Sequence, residues 1–225
     1  MSVEMRSKAA LMRLLSLINE YTGSVKTNLT DAVKELKAKS ETGNNKIKGL
    51  CDGTVEELTA EDLQGITQII PYLFMNNTAL KYVELPAEVT VLGDNCFNGC
   101  TELDMPFLPE GVERLGFNNF NQCKKLSVRK LPDALNYIGA NAFTNCVSLR
   151  ISEIPDGVTY IGRMAFSSCT SLETVTFKGT PTSIDRGTFA GCTSLREINV
   201  PWAEGAVGDA PWGAKNAVIN YNYTK

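Results

Sequence analysis

The chain has 225 residues, no histidine and a formal net charge of −3. The absence of histidine excludes Ser-His and Cys-His nucleophilic pairs and every zinc site that uses histidine. The small net charge argues against a nucleic-acid surface, and no apolar stretch approaches the ~18 residues that span a bilayer. We therefore expect no catalytic residues, cofactor, bound metal, nucleic-acid partner or membrane insertion.

Residues 1–53 are predicted to form a helical segment followed by a linker. Apolar residues recur at helical spacing between Met5 and Tyr21, and a second helix is predicted to begin with Asn28 as its N-cap. Arg13 interrupts the first apolar stretch and no cleavage motif follows, so we expect a mature helix rather than a signal peptide. Because two short amphipathic helices bury little surface alone, they are expected to pack on the rest of the chain, on each other, or on another subunit in an oligomer.

A 23-residue repeat dominates the rest of the chain. One column of the repeat is cysteine: Cys100, Cys123, Cys146, Cys169 and Cys192. A second column is phenylalanine: Phe97, Phe120, Phe143, Phe166 and Phe189. A leucine column keeps the same step from Leu80 to Leu195 without insertion. Such a period predicts stacked copies of one structural unit, and such stacks serve mostly as extended binding surfaces.

Each copy is predicted to be a short strand, a turn and a compact return. An apolar residue at the sixth position precedes proline in all copies but one, and proline should close the strand because it has no N–H to donate. Glycine follows a second apolar column, where a turn can use its permissive backbone; these glycines are Gly93, Gly116, Gly139 and Gly162. The Phe- and Cys-containing segment is too short for a full helix and is interpreted as a short helical or turn-rich return.

The period also extends backwards, to Ile69, Phe74 and Asn77. With copies such as IPDGVTYIGRMAFSSCTSLETV (154–175), the chain resembles the BspA-like, 23-residue class of leucine-rich repeats over about residues 57–201. That resemblance implies a right-handed leucine-rich repeat solenoid with a parallel sheet along one face. We divide the chain into the N-terminal segment 1–53, repeats 54–201 (about six, the first degenerate) and a C-terminal cap, 202–225.

The cysteines could be a metal or disulfide framework, or a structural column. We favour the column, because stacking places equivalent positions ~4.8 Å apart and a free thiol in such a row behaves as a small hydrophobe. The phenylalanines are likewise predicted to form a core spine rather than an aromatic ligand platform.

The three middle copies differ from the others at the start of the strand. They carry Pro106, Arg129 and Ser152 at the inward fourth position, with Met105, Val128 and Ile151 one residue earlier. Because strand side chains alternate between faces, these strands must bulge, shift or shorten, or else expose the three apolar residues. Two interpretations stay open: a tolerated repeat subtype, or a distinct central patch.

Positions three and five of each copy should face outward and form a candidate binding surface for a protein or glycan. With the two shifted residues added, the candidates are Tyr82, Glu84, Phe107, Arg129, Lys130, Ser152, Glu153, Thr174, Thr176, Glu197 and Asn199. They are either simply solvated or contact residues. Phe107 is the prime candidate, since an outward aromatic side chain is a typical interface anchor.

The C-terminal segment leaves the repeat pattern. Trp202 and Trp212 are expected to cover the core of the last repeat rather than bind a ligand, and a last strand is predicted within Ala217–Tyr223. This segment resembles the ends of leucine-rich repeat proteins encoded by gut bacteria and their phages, and TNLTDAVKELKAK resembles helical regions of phage tail-associated proteins.

These resemblances imply a non-enzymatic binding or adhesion module on a phage or prophage tail appendage or a bacterial surface. The alternatives are an intracellular scaffold for protein–protein interaction and a glycan-active enzyme. An enzyme would need a carboxylate pair in a cleft.

Overall fold

The computed structural model describes residues 54–63 and 66–224. These residues form a solenoid of about seven turns that contains strands and turns but no helix. The returns between strands are therefore turns rather than short helices. The predicted N-terminal helices and linker lie outside the described residues.

The strands are short and all of their pairings are parallel. In chain order they are β1 (Glu57–Leu58), β2 (Gln68–Ile69), β3 (Tyr82–Val83), β4 (Val91–Leu92), β5 (Arg114–Leu115), β6 (Tyr137–Ile138), β7 (Glu153–Ile154), β8 (Tyr160–Ile161), β9 (Thr174–Phe177), β10 (Ser183–Ile184), β11 (Glu197–Asn199) and β12 (Val218–Asn220). Most are two residues long because the coil turns a corner after each inward-pointing side chain.

Strands occupy two faces of the solenoid, not one as the family resemblance implied. The long face is a six-stranded sheet in the order β2-β4-β5-β6-β8-β10, and its register advances by one repeat per strand, as in Gln68↔Val91. The split face carries β1 and β3 as one sheet and β7, β9, β11 and β12 as another. Between β3 and β7 this face has no strand within the described residues.

The remaining side, the turn face, is also joined by backbone hydrogen bonds. The N–H of each spine phenylalanine donates to a carbonyl of the following coil, for example Phe120 to Ala142 at 2.7 Å and Phe143 to Ala165 at 2.7 Å. Neighbouring coils are thus bonded on all three sides, which satisfies backbone groups that burial would otherwise leave unpaired.

The turn face requires two left-handed residues in each coil, four positions apart. The first column contains Tyr72, Asn95, Asn118, Asn141, Met164 and Gly187, all with positive φ. The second contains Asn76, Gly99, Gln122, Asn145, Ser168 and Gly191, again all with positive φ. Asparagine and glycine predominate because they enter this region at the lowest cost.

Glycine follows β4, β5, β6 and β8, but the predicted reason, a turn that uses glycine's permissive backbone, is wrong. None of the four has a positive φ. A Cβ at Gly139 would instead lie 2.6 Å from the carbonyl oxygen of Gly116, and one at Gly162 would lie 2.5 Å from the amide nitrogen of Ala140. Glycine is needed here because consecutive coils approach each other too closely for any side chain.

Proline closes the strands of the split face as predicted. The copy that lacks it, with Lys178 after Phe177, contains the longest strand, β9. In the four copies from Pro86 to Pro155, the proline carbonyl accepts a turn hydrogen bond from the amide three residues on, as from Val89 to Pro86 at 3.1 Å. Proline thus ends one face and starts the corner that leads to the next.

The phenylalanine column is a buried spine, as predicted. The rings of Phe97, Phe120 and Phe143 are fully buried and stack with centroids 5.3 and 5.5 Å apart. Phe74 extends the stack by one coil, with its centroid 5.0 Å from that of Phe97. Successive copies therefore share one continuous core.

The cysteine column is buried as well, and its thiols have a specific partner. Each Sγ donates a hydrogen bond to the carbonyl of the phenylalanine 26 residues earlier, from Cys100 to Phe74 at 2.9 Å through Cys192 to Phe166 at 3.0 Å. Burial raises the pKa of Cys100 to about 12 and that of Cys192 to about 11. Asn77, in the same column, instead accepts from the amides of Ala79 and Leu80.

The C-terminal segment covers the end of the core. Trp202 and Trp212 are buried, and the Trp202 ring packs edge-on against Phe177 with centroids 5.2 Å apart. The Trp212 carbonyl accepts the Phe189 amide at 2.9 Å, as the Thr188 carbonyl accepts the Phe166 amide in the coil before, so the cap continues the hydrogen bonding of the turn face. The last strand, β12, lies within the predicted range and pairs with β11.

Candidate binding face

The interruption of the split face follows from the shifted apolar residues. Met105, Val128 and Ile151 are all buried, as are Leu108, Leu131 and Ile154 three residues after them. Regular strands here place inward residues two apart, as in β9, whose burial alternates with each residue. A spacing of three leaves two consecutive outward residues, which a flat strand cannot provide. The strand is therefore lost in two copies, and in the third it begins only at Glu153.

This local geometry creates a distinct surface that we call the central patch. It consists of the outward pairs of the three middle copies: Pro106 and Phe107, Arg129 and Lys130, Ser152 and Glu153. A backbone bond from Arg129 to the carbonyl of Pro106, at 3.4 Å, connects the first two pairs. The apolar residues stay buried, so the irregularity changes the surface and not the core.

Phe107 is the most exposed of the large apolar side chains in the described residues, with 74% of its surface accessible. Its equivalents in the coils on either side are Glu84 and Lys130, both exposed and charged. Scattered surface hydrophobes are ordinary. Phe107 differs because it projects from the point where the sheet is interrupted.

The charges around Phe107 are unevenly compensated. Lys130 Nζ lies 2.9 Å from Asp133 and 3.6 Å from Glu110, and the hydrogen bond to Asp133 raises the pKa of Lys130. Arg129 has no ion-pair partner within the described ranges, although it is exposed. The patch therefore presents an aromatic ring beside a guanidinium group that is available to a partner.

The other predicted surface residues differ in how far they are exposed to solvent. Tyr82, Glu84 and Glu197 are exposed, and Glu153, Thr174 and Thr176 are half-buried. Glu153 pairs with Lys178 at 2.9 Å. The expectation that Asn199 faces solvent is wrong: it is buried, donates to Thr176 Oγ1 at 3.2 Å and accepts from Asn220 at 2.7 Å. Its position in the middle of the sheet surface lets neighbouring strands cover it.

The long face contains a side-chain ladder that the sequence reasoning missed. The guanidinium of Arg114 lies 3.8 Å from the ring centroid of Tyr137, whose other neighbour is the stacked ring of Tyr160 at 5.0 Å. Tyr160 donates to Asp185 at 2.8 Å, and this bond raises the pKa of Tyr160 to about 12. The sequence feature that indicated this ladder was the 23-residue spacing of Arg114, Tyr137 and Tyr160. These residues become neighbours only if each of them lies in a strand of the same sheet.

The described residues show neither a membrane-spanning helix nor a cluster of metal ligands. Among the described residues there is no helix of the length and hydropathy needed to cross a bilayer. Those same residues contain no group of three or more cysteine, aspartate or glutamate side chains arranged to hold a metal ion.

The repeat geometry agrees with a known family. The model of the BspA type leucine rich repeat region matches six copies, over residues 54–132 and 106–207. The chain belongs to this family of BspA-type leucine-rich repeat proteins. The matching family describes a repeat region and indicates no catalytic activity.

Two solved structures resemble this chain in fold. A leucine-rich repeat protein of T. pallidum is 29% identical, with a TM-score of 0.56, over 64% of this chain and 70% of that one. A leucine-rich repeat protein of Bacteroides ovatus is 31% identical, with a TM-score of 0.52, over 60% of this chain. The match spans 35% of the Bacteroides protein. No curated protein matches this chain in sequence.

Proposed function

We propose that this protein is a non-enzymatic binding or adhesion module and that its central patch is the contact surface. The observation that carries the proposal is the interruption of the split face, where the 74% exposed Phe107 lies next to Arg129, which has no ion-pair partner among the described residues. Aromatic and arginine side chains dominate the binding energy of protein interfaces. The backbone hydrogen bond from Arg129 to Pro106 joins the two coils that carry these side chains, which reduces the cost of ordering them on binding.

The partner is a protein or glycan on a bacterial surface, with a phage or prophage tail appendage as the setting for the module. The family match to repeat proteins supports a binding role. The resemblance of both chain ends to sequences from phages and gut bacteria supports the setting. Genes for phage tail proteins next to the gene for this chain would strengthen this assignment. Neighbouring genes for cytosolic scaffold proteins would weaken it.

The test compares binding of the full chain and of a triple variant to purified bacterial envelope proteins and immobilised neutral glycans. Phe107→Ala, Arg129→Ala and Lys130→Ala together should abolish saturable binding without lowering the thermal midpoint, because all three side chains lie outside the core. The matched control is Phe117→Ala, Lys124→Ala and Arg196→Ala, which removes the same residue types from other exposed positions.

Three outcomes would count against the proposal. The triple variant could bind as well as the original chain, the control variant could lose as much binding, or removal of residues 1–50 could abolish binding while the triple variant retains it. In the last case the N-terminal segment would carry recognition and the repeats would serve as a spacer.

A further inference from the structure

An open depression lies between the last full repeat and the cap, on a different side of the coil from the central patch. It has a volume of about 500 Å³ and is lined by Arg163, Asp185, Arg186 and Asp209. Volumes of this size accommodate small ligands. All four lining residues carry charge, two positive and two negative, so the fitting ligand has polar groups.

The repeat places two arginines side by side in the depression. Arg163, Arg186 and Asp209 follow one another at intervals of 23 residues, so they occupy one column in consecutive coils. The Nε of Arg186 lies 3.5 Å from Asp209, whereas Arg163 has no ion-pair partner in the described part of the chain. The lining holds two arginines and two aspartates, and Asp209 pairs with Arg186. The guanidinium of Arg163 is therefore left to bind an anionic group through paired hydrogen bonds, with Arg186 beside it in the column.

Asp185 gives the depression a fixed acceptor. Its two carboxylate oxygens accept hydrogen bonds from Tyr160 at 2.8 Å and from Ser183 at 3.3 Å. Each oxygen has a further lone pair for a ligand hydroxyl. Tyr160 in turn stacks on Tyr137, so the orientation of the carboxylate is set by the ladder on the long face.

We propose that this depression binds a carboxylate-bearing sugar, with Arg163 and Arg186 on the carboxylate and Asp185 and Asp209 on hydroxyl groups. The two aspartates disfavour a phosphate dianion, because each adds a negative charge beside it. The open shape suits one residue of an oligosaccharide, whose neighbours extend over the rim. The half-exposed tyrosine ladder beside it supplies the aromatic surface on which sugar C–H groups pack.

The test is isothermal titration of the full chain with galacturonate, glucuronate and sialic-acid oligosaccharides, each beside its neutral counterpart. At least one acidic oligosaccharide should bind saturably and its neutral counterpart should not. Arg163→Gln should weaken that binding about tenfold or more, as expected for loss of a charge-assisted hydrogen bond. Arg150→Gln makes the same change of charge at an exposed site on the split face and should leave the affinity unchanged.

Tyr160→Phe tests the positioning of Asp185. It removes the hydroxyl that donates to the carboxylate while keeping the ring stack, so affinity for the acidic sugar should fall although the fold is unchanged. The central-patch triple variant should bind the sugar normally, which separates this site from the proposed function.

The inference is overturned if all the acidic oligosaccharides fail to saturate the protein at up to about 10 mM, a range that covers weak binding. Equal binding of the neutral counterparts, or equal loss in Arg150→Gln, would also overturn it. Saturable binding of a zwitterionic dipeptide or of inorganic phosphate in place of the sugars would assign the depression to another ligand class.

Discussion

At the scale of single residues, the cysteine column acts through hydrogen bonding as much as through packing. The carbonyls of four spine phenylalanines, from Phe97 to Phe166, accept both the amide of the cysteine three residues on and a thiol from the next coil, as Phe97 does from Cys100 and Cys123. A buried carbonyl with two donors is better satisfied than one that a plain hydrophobe would cover. The column therefore fixes the distance between neighbouring coils.

The thiols of this column should react slowly in the folded protein. Burial raises the pKa of Cys123, Cys146 and Cys169 well above the ordinary value, so at pH 8 almost none is thiolate, the reactive form. In a Cys51→Ser background, which leaves only the six described cysteines, disulfide-exchange labelling should be slow in buffer and fast in denaturant. Rapid native labelling, or stoichiometric zinc by elemental analysis, would show that the column has another role.

Glycine between consecutive coils provides a second test at this scale. Gly139→Ala should destabilise the protein by about 1–3 kcal/mol, the range for overpacking, because the new Cβ would meet the Gly116 carbonyl. Gly208→Ala is the matched control, since a Cβ there would have no atom within 4 Å. Equal free energies of unfolding for the two variants, measured in denaturant, would mean that the coils can separate at no cost.

At the scale of elements, each coil combines two short strands with a turn side held by left-handed residues. The 23-residue columns predicted the spine, the buried thiols and the closing prolines, because those positions repeat with a fixed chemistry. They did not predict the long face, since two-residue strands such as Tyr137–Ile138 are too short to show alternation. The left-handed columns were also missed, because residues as different as Met164 and Asn141 occupy equivalent positions.

The central patch was predictable only in part, for a related physical reason. The displaced apolar residues indicated an irregularity, but the sequence left open whether they would be exposed or the strand would be lost. Burial decides between these outcomes. Exposing Met105, Val128 and Ile151 would forfeit roughly 1.5–3 kcal/mol each, which exceeds the net stabilisation of ~0.5–1.5 kcal/mol from a typical hydrogen bond lost with the strand.

The spine is the element whose truncation should matter most. Phe143→Ala should cost ~3–5 kcal/mol, because it removes a fully buried ring that stacks on Phe120 and Phe166. The measurement is denaturant unfolding, with exposed Phe117→Ala as the control. A cost below about 1 kcal/mol for Phe143, the usual range for surface changes, would contradict the description of a shared core.

At the scale of the whole molecule, the solenoid needs a closed end. The cap supplies it with two tryptophans packed on Phe177 and with β12, which continues the split face. Without the cap the last coil would present apolar side chains and strand edges to solvent, a hazard for aggregation. Closure by the cap therefore protects the core of the whole stack at this end.

Trp212→Ala tests the cap. The side chain is 1% exposed and packs against Phe177 and Trp202, so its removal should destabilise the protein by ~3–5 kcal/mol. Tyr223→Ala, at a partly exposed position in the same segment, should change the free energy of unfolding by less than about 0.5 kcal/mol. Comparable losses would imply that the segment is held by its backbone and not by the tryptophans.

The most direct test of recognition through the central patch places a photo-crosslinking amino acid at position 107 and, as a matched control, at position 117. Both positions hold exposed phenylalanines on different faces of the same solenoid. After illumination with bacterial envelope, position 107 should yield a discrete adduct. Excess unlabelled protein should suppress that adduct, but the central-patch triple variant should not, and position 117 should yield none. The same adduct from both positions, or equal competition by the triple variant, would contradict the account.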